Sequence, residues 1–416
     1  MTRKVFIAAL FLCAVQTSLA QAVNSLSWEE LRDRFKKNNP NLLAAEVSIR
    51  ENKAIEITAG LRPNPVVNLS EDQFAFFNGN PYRPTGATQL THTLSYLVER
   101  RNKRGLRVQS AQLQTEVSKT DVMDLERQLM FTLRDSYIRV LQSKAVLELA
   151  LENIAAYDKV IEVNRERMRA GDIAKIDLSR VELGKVQFES DVINAKVALR
   201  TAKIALLSLL NEAISVDQFD VAGPFTDGVL VPSQDELRAK ALAVRPDLRS
   251  AATAIEKARN DNKLAWANGS TDPILASDYA RIGPKNTIGV GVSFPIRIFD
   301  KNQGEKERTR LEIERLEKVK KAIEVIATRD IDSAFAAVES VRALLGPYKE
   351  RYLAQSAEVR DTVSFSYSKG GASLLELLDA QKSYRDTQVT YRNLIASFLA
   401  AVNQLSLAAG ADLGQQ

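Results

Sequence analysis

The fold is decided by residues 104–169, which read RGLRVQSAQLQTEVSKTDVMDLERQLMFTLRDSYIRVLQSKAVLELALENIAAYDKVIEVNRERMR. This run contains no proline and a single glycine, Gly105, and its apolar residues recur at intervals of three and four from Leu125 to Leu149. Such spacing is typical of an amphipathic helix. At 1.5 Å per residue, about 65 helical residues form a rod of about 100 Å. A rod of that length cannot fold inside a compact domain, so the sequence predicts an elongated protein.

The long helix is predicted to be one arm of a hairpin. Gly171 interrupts it, and the helical pattern resumes over 176–210, which favours an antiparallel pair of coiled-coil type. A second pair is expected from 305–367 and 374–407. Gly346–Pro347 falls within its first arm and should kink or briefly break the helix there.

The chain is internally duplicated at a spacing near 200 residues, and the matching pieces keep the same order in both halves. The matches are NPNL at 39–42 with RPDL at 245–248, NPV at 64–66 with DPI at 272–274, and LSY at 94–96 with VSF at 292–294. The turn glycines Gly171 and Gly370 also match, and each is followed six residues later by an acidic residue, Asp177 and Glu376. Each half is therefore predicted to run helix, strand, strand, very long helix, turn, helix.

The predicted organisation divides the chain into four segments. They are a signal peptide at 1–22, a first repeat at 23–220 with a β-hairpin at 65–97 and a helical hairpin at 101–211, a linker at 221–233, and a second repeat at 234–416 with a β-hairpin at 273–297 and a helical hairpin at 303–408.

The N-terminus predicts export. Arg3 and Lys4 precede an apolar run of about 11 residues and a small-x-small cleavage site, which is the pattern of a secretory signal. The run is too short to span a bilayer as a helix, which needs about 20 residues. Cys13 lies within it, and the preceding Leu12 is not the small residue expected of a lipoprotein signal.

The predicted strands have the length of membrane-crossing strands. Residues 287–296 alternate between apolar side chains such as Ile288 and Val290 and small ones such as Gly289, and 89–97 alternate in the same way. Segments 66–73 and 274–281 are their predicted partners. Strands of about ten residues cross a bilayer when tilted, although a small sheet capping a helical bundle has the same pattern. Four strands cannot close a barrel, so three chains with about twelve strands are expected.

Composition excludes several functional classes. One cysteine and one histidine, His92, leave no disulfide, no cysteine-rich zinc site and no imidazole cluster for a metal. No nucleophile, base and orienting group can be assembled, and no glycine-rich phosphate loop is present, so neither an enzyme nor a cofactor is expected. The 57 basic and 52 acidic residues are intermixed, which gives no indication of nucleic-acid binding.

The sequence resembles the TolC-like outer membrane factors of tripartite efflux pumps and type I secretion systems. The resemblance covers 26–410 through the duplication, the strand pairs and the hairpin turns, and the strings at 60–65 and 294–304 look most like the CzcC-type branch, which serves heavy-metal efflux. It implies a mainly α-helical protein with a small β part: tandem helical hairpins plus four transmembrane strands per chain, with a trimer forming a 12-stranded β-barrel and a periplasmic α-helical barrel.

The resemblance also assigns roles at the two turns, which look like the periplasmic tips of the family. Asp177 and Tyr367 match positions that hold a closed tip together, and Glu376 and Asp379 match acidic rings that face the pore. Ala372 stands where other members have a clamping arginine, so the resemblance does not extend to a salt-bridged closed state.

The expected function is a passive exit duct in the outer membrane that extends into the periplasm, with metal cations as one candidate cargo. The implied partners are two further copies of the chain, a periplasmic adaptor, an inner-membrane pump of the RND or ABC type, and outer-membrane lipid. Type I protein secretion and drug efflux are alternatives. Two further alternatives are a periplasmic adaptor and a soluble coiled-coil protein. An adaptor should carry one helical hairpin between glycine-rich β-domains.

A basic run at 100–107 directly follows a predicted strand. It is consistent with a contact to anionic lipid at the inner membrane interface and equally with a solvated helix start.

Overall fold

A computed structural model describes residues 24–73 and 88–413. The predicted signal peptide lies outside the described residues, as do residues 74–87, within the predicted first β-hairpin, and the last three residues.

The first half of the chain contains four helices and four short strands among its described residues. In chain order they are β1 (Asn24–Leu26), α1 (Trp28–Asn38), α2 (Pro40–Gly60), β2 (Val66–Asp72), β3 (Gln89–Leu97), α3 (Lys103–Ala170), α4 (Lys175–Leu210) and, after a 3₁₀ turn at Val216–Gln218, β4 (Phe219–Val221).

The second half repeats this order without the two shortest strands. Its elements are α5 (Gln234–Val244), α6 (Pro246–Asn268), β5 (Ile274–Ile282), β6 (Lys285–Ser293), α7 (Gln303–Pro347), a π-helical turn at Tyr348–Tyr352, α8 (Leu353–Ser368) and α9 (Leu374–Ala409). The prediction of tandem helical hairpins with four longer strands is confirmed.

The two long arms differ in continuity. Helix α3 runs for 68 residues without a break, about 100 Å at 1.5 Å per residue. In the second half, α7 ends at Pro347 and the π-helical turn separates it from α8. Proline has no N–H to donate, so the hydrogen-bond ladder shifts there. At the predicted interruption, Gly346–Pro347, the backbone stays right-handed helical and only its hydrogen bonding changes, to that of the π-helical turn.

The four longer strands form one antiparallel sheet in the order β2-β3-β5-β6. The two β-hairpins join through β3 and β5, where Thr93 lies opposite Asp278. The outer strands β2 and β6 each have a single partner within the described chain. The short strands β1 and β4 pair in parallel elsewhere, and they connect the start of the chain to the end of its first half.

The main apolar core lies around the waist of the molecule, where the hairpins meet the shorter helices. One cluster joins α1, α3, α4 and β4 through Leu31, Phe35, Leu133, Val140, Leu206, Phe219 and Val221. The other joins α5, α7 and α9 through Leu237, Ile331, Val338, Phe398 and Leu405. Phe225, in the segment between the halves, packs against both clusters. Burial of these side chains fixes the two halves against each other.

The basic run at 100–107 forms the joint between sheet and helices. The Lys103 side chain is 5% exposed, and its Nζ donates to Asp272 Oδ2 at 2.6 Å and to the Ser270 carbonyl oxygen at 3.0 Å. Arg107 pairs with Glu99, and Arg104 Nε donates to the Gly60 carbonyl oxygen at 2.6 Å. These three cations are therefore bound within the protein and are not simply solvated.

Within the described ranges, none of the helices combines the length and the apolar character needed to cross a membrane.

Candidate functional site

The two hairpin turns have the same backbone geometry. Gly171 and Gly370 adopt φ values of 83° and 78°, in the left-handed region that favours glycine. In the first turn the Asp172 N–H donates to the Arg167 carbonyl oxygen at 2.9 Å, and in the second the Gly371 N–H donates to the Ser366 carbonyl oxygen at 2.9 Å. Each bond links residues five apart, so the turns are structural copies of one another.

The second turn carries a side-chain cap that the first lacks. Ser373 begins α9 with a capping box, in which its Oγ accepts from the Glu376 N–H at 3.3 Å and its own N–H donates to Glu376 Oε2 at 2.6 Å. The equivalent residue in the first turn is Ala174, which has no side-chain cap. A capping box satisfies N–H groups at the helix start and fixes where the helix begins.

Tyr367 attaches the second hairpin to the first. Its ring is buried, and its hydroxyl donates to Asn164 Oδ1 of α3 at 2.6 Å. The Arg167 guanidinium lies 4.8 Å from the ring centre and donates through Nη1 to the Tyr367 carbonyl oxygen at 3.0 Å. Burial raises the pKa of Tyr367, and the nearby Arg167 cation acts in the opposite direction. The phenol therefore stays protonated and available as a donor.

Asp177 lies near Tyr367 but does not accept its hydrogen bond. The Asp177 charge helps to raise the pKa of Tyr367, while its own ion pair is to Arg180 on the same helix, at 3.6 Å. Ala372 contributes no charge to the turn, and the cation beside Tyr367 is Arg167 from the first hairpin. Sequence reasoning missed Asn164 and Arg167, because neither lies near the second turn in sequence.

Glu376 and Asp379 are both exposed on α9. Being three apart, they are neighbours on one side of the helix, while Leu377 and Ala380 are buried on another side. Hydrogen bonds from the Ser373 backbone and side chain lower the pKa of Glu376. Nothing in the described chain forms an ion pair with either carboxylate. Both charges are thus available to solvent at the tip.

At the other end of the molecule, the sheet has one apolar face. Its side chains are exposed within the single chain, to 83% at Ile288 and 87% at Val290. Register and alternation place the following residues on that face: Val67, Leu69, Leu94, Leu275, Ile288, Val290 and Val292. His92 lies among them and stacks on Tyr279, with ring centroids 6.1 Å apart. An exposed apolar band of this kind on strands of nine residues fits contact with lipid.

The middle of the opposite face is polar or small, and apolar residues on that face lie toward its ends, at Val66, Leu97, Ile274 and Ile282. Its residues include Asn68, Ser70, Thr91, Thr93, Ser95, Ala276, Asp278, Thr287, Gly289 and Gly291. In a closed barrel, residues of this kind line the lumen. Within residues 24–73 and 88–413 there is no group of three or more histidine, cysteine or acidic residues able to hold a metal ion.

Similarity to known proteins extends over nearly the whole chain. No protein-family model matches it. It is 22% identical over 395 residues to the cobalt-zinc-cadmium resistance protein CzcC of Cupriavidus metallidurans, covering 92% of this chain and 90% of that protein. It is 23% identical over 407 residues to the outer membrane efflux protein BepC of Brucella suis, covering 91% and 85% respectively.

The solved structure of CusC has the same fold, with a TM-score of 0.77 at 18% identity over 92% of both chains. The duplicated hairpins, the amphipathic sheet and the length of these matches lead to one conclusion. The comparisons confirm the resemblance of this chain to the TolC-like outer membrane factors, and its fold is that of their solved structures.

Proposed function

We propose that the chain is the outer-membrane component of a tripartite efflux system, in which three copies form a passive exit duct across the outer membrane and into the periplasm. The observation that carries this proposal is the four-stranded sheet, which is apolar on one face and polar on the other and has a single partner for each outer strand. Unpaired strand edges are not tolerated in lipid, so copies of the sheet must pair edge to edge.

The helical hairpins continue the duct on the periplasmic side. The long arm of each hairpin extends for about 100 Å, which suits a tunnel that reaches a periplasmic adaptor and an inner-membrane pump. The duct itself needs no catalytic residue and no resident cofactor. Energy for transport comes from the pump.

Metal cations are the proposed cargo. Glu376 and Asp379 are exposed beside the turn, and three copies of each around a narrow opening would attract cations. The similarity to a protein named for cobalt, zinc and cadmium resistance favours the same cargo. Drug efflux and protein secretion are the competing outcomes.

Planar bilayers test the duct and its tip together. The purified protein should form ion-conducting channels that prefer cations in a KCl gradient. Glu376→Gln combined with Asp379→Asn should reduce that preference severalfold, whereas Glu29→Gln, an exposed change on α1 near the waist, should leave it unchanged. Absence of conductance would contradict the proposed duct. An unaltered cation preference in the double variant would contradict the proposed role of Glu376 and Asp379 at the tip.

The cargo is tested in cells. Deletion of the gene should increase retention of zinc, cobalt or cadmium ions and lower tolerance to them. Unchanged metal tolerance together with lower drug tolerance, or with loss of a secreted protein, would replace the metal proposal with one of its competitors.

A further inference from the structure

The polar face of the sheet carries one charge between its two ends. The residue is Asp278 of β5, which lies opposite Thr93 on one side and Gly289 on the other. Side chains on the neighbouring rows of that face are uncharged: Val66, Ser95, Ala276 and Gly291 toward the helices, and Ser70, Thr91, Ala280 and Thr287 on the other side. A single carboxylate therefore dominates the electrostatics of the middle of this face.

The carboxylate of Asp278 is not neutralised within its own chain. Over residues 24–73 and 88–413 it forms neither a hydrogen bond nor an ion pair. It is partly shielded by the neighbouring strands but not enclosed. Keeping an unpaired charge away from water is energetically costly. The carboxylate of Asp278 is therefore expected on the side of the sheet that contacts water.

Gly289 makes room for this carboxylate. A Cβ atom at Gly289 would lie 2.6 Å from Asp278 Oδ1 and 2.7 Å from Oδ2, far closer than van der Waals contact allows. The side chain therefore lies against the sheet across Gly289. Two residues along β6, Gly291 has open space around its Cβ position. The wall beside the carboxylate is thus smooth and unobstructed.

We propose that Asp278 sets a preference for cations within the outer-membrane barrel, as a ring of three carboxylates contributed by the three protomers. The proposal rests on the proposed function, because the ring exists only when three sheets close around a lumen. A water-filled passage with a low-dielectric wall concentrates the field of like charges and raises the local concentration of counter-ions. This selectivity element is separate from Glu376 and Asp379, which lie at the far end of the helices.

A cysteine reporter measures the potential beside Asp278 whether or not the tip is open. Cys13 is the single cysteine of the chain, so Gly291→Cys in a Cys13→Ser background provides a unique thiol on the same face. The purified protein in lipid vesicles is treated with water-soluble, membrane-impermeant thiol reagents of positive or negative charge, and the two labelling rates are compared.

The ratio of cationic to anionic labelling should be about three- to tenfold higher with Asp278 than with Asp278→Asn, and the difference should shrink at high salt. An equal ratio in the two proteins would overturn the proposal. Val290→Cys, on the apolar face, is the matched control and should resist both reagents. If Val290→Cys is labelled as fast as Gly291→Cys, the apolar face does not contact lipid and the barrel itself is wrong.

Discussion

The tip ends of the two helical hairpins are held in different ways. In the first hairpin, the Tyr157 hydroxyl donates to the Val181 carbonyl oxygen at 2.9 Å and the ring stacks on Phe188 at 4.4 Å, so the two arms bind each other. In the second, Tyr367 binds Asn164 of the first hairpin. The buried tyrosine of the first hairpin thus joins its own two arms, whereas the buried tyrosine of the second joins that hairpin to its neighbour.

The long arms of the two hairpins also differ, in the continuity of the helix. Helix α3 is continuous over its whole length, while the corresponding arm of the second half contains the π-helical turn after Pro347. Such turns mark places where a helix can bend. We therefore expect the first hairpin to act as a strut and the second to be the part that moves when the tip opens.

Among the changes that test this difference between the hairpins, removal of the Tyr157 side chain should lower the stability most. The side chain is almost fully buried, and burial raises its pKa to about 12. Tyr157→Ala should lower the free energy of unfolding by about 3 to 5 kcal/mol, as truncation of a buried aromatic ring does. Thermal unfolding in detergent measures this. Tyr352→Ala, a change on the exposed side of the π-helical turn, is the control, and an equal loss there would refute the special role of Tyr157.

The next largest difference in stability should come from adding a methyl group to one glycine in each hairpin. A Cβ at Gly184 would lie 2.2 Å from the Tyr157 hydroxyl, whereas at Gly346 it would meet no side chain apart from those of its chain neighbours. Gly184→Ala should cost about 1 to 3 kcal/mol through overpacking. Gly346→Ala should be close to neutral, because the gain in helix propensity is offset by contact of the new Cβ with the ring of Pro347. Matching melting curves for the two variants would show that the hairpins are equally tolerant.

Loss of the Tyr367 hydroxyl should release the second hairpin and leave the first intact. Tyr367→Phe leaves Asn164 Oδ1 without this donor, at an expected cost of about 1 to 2 kcal/mol. Hydrogen exchange should speed up near 160–168 and 362–370 but not around Val181, and channels in bilayers should open more often. Tyr352→Phe serves as the control. Faster exchange throughout α4 would mean that the two hairpins do not move separately.

The smallest expected effect concerns the pH dependence of the tip. Ser373 lowers the pKa of Glu376 below its ordinary value of 4.5, so the stabilising contribution of this carboxylate is present above that value and is lost as the pH falls through the lowered pKa. Ser373→Ala should move the pKa upward, and the cation preference should then fade at a higher pH than in the unmodified protein. Identical pH profiles would exclude a contribution from the Ser373 hydroxyl.

The long elements could be predicted from the sequence because their patterns are long. The apolar spacing in α3 continues over many turns, and the alternation in β3 and β6 has period two. Pro347 indicates a change in the helix from the sequence alone, because its missing N–H removes a hydrogen bond from the adjacent turn. The capping box at Ser373 was not among the predictions, although a serine followed three residues later by Glu376 is its sequence pattern.

The contacts at the tip and the joint could not be predicted in this way. Asn164 and Tyr367 are 203 residues apart, and Lys103 and Asp272 are 169 apart. Such pairs form only when the two halves of the chain pack side by side. A lysine in a basic run gives no local sign of burial, so Lys103 reads as solvated until its partner is placed.

The central claim is that three copies of the four-stranded sheet close one barrel around a lumen. Chemical crosslinking of the protein in native outer membranes, followed by mass measurement of the extracted complex, tests it most directly. The account predicts a trimer as the largest well-populated species. A complex that stops at the monomer or the dimer would contradict it, because four or eight strands of this sheet would leave the exit duct without three-fold closure.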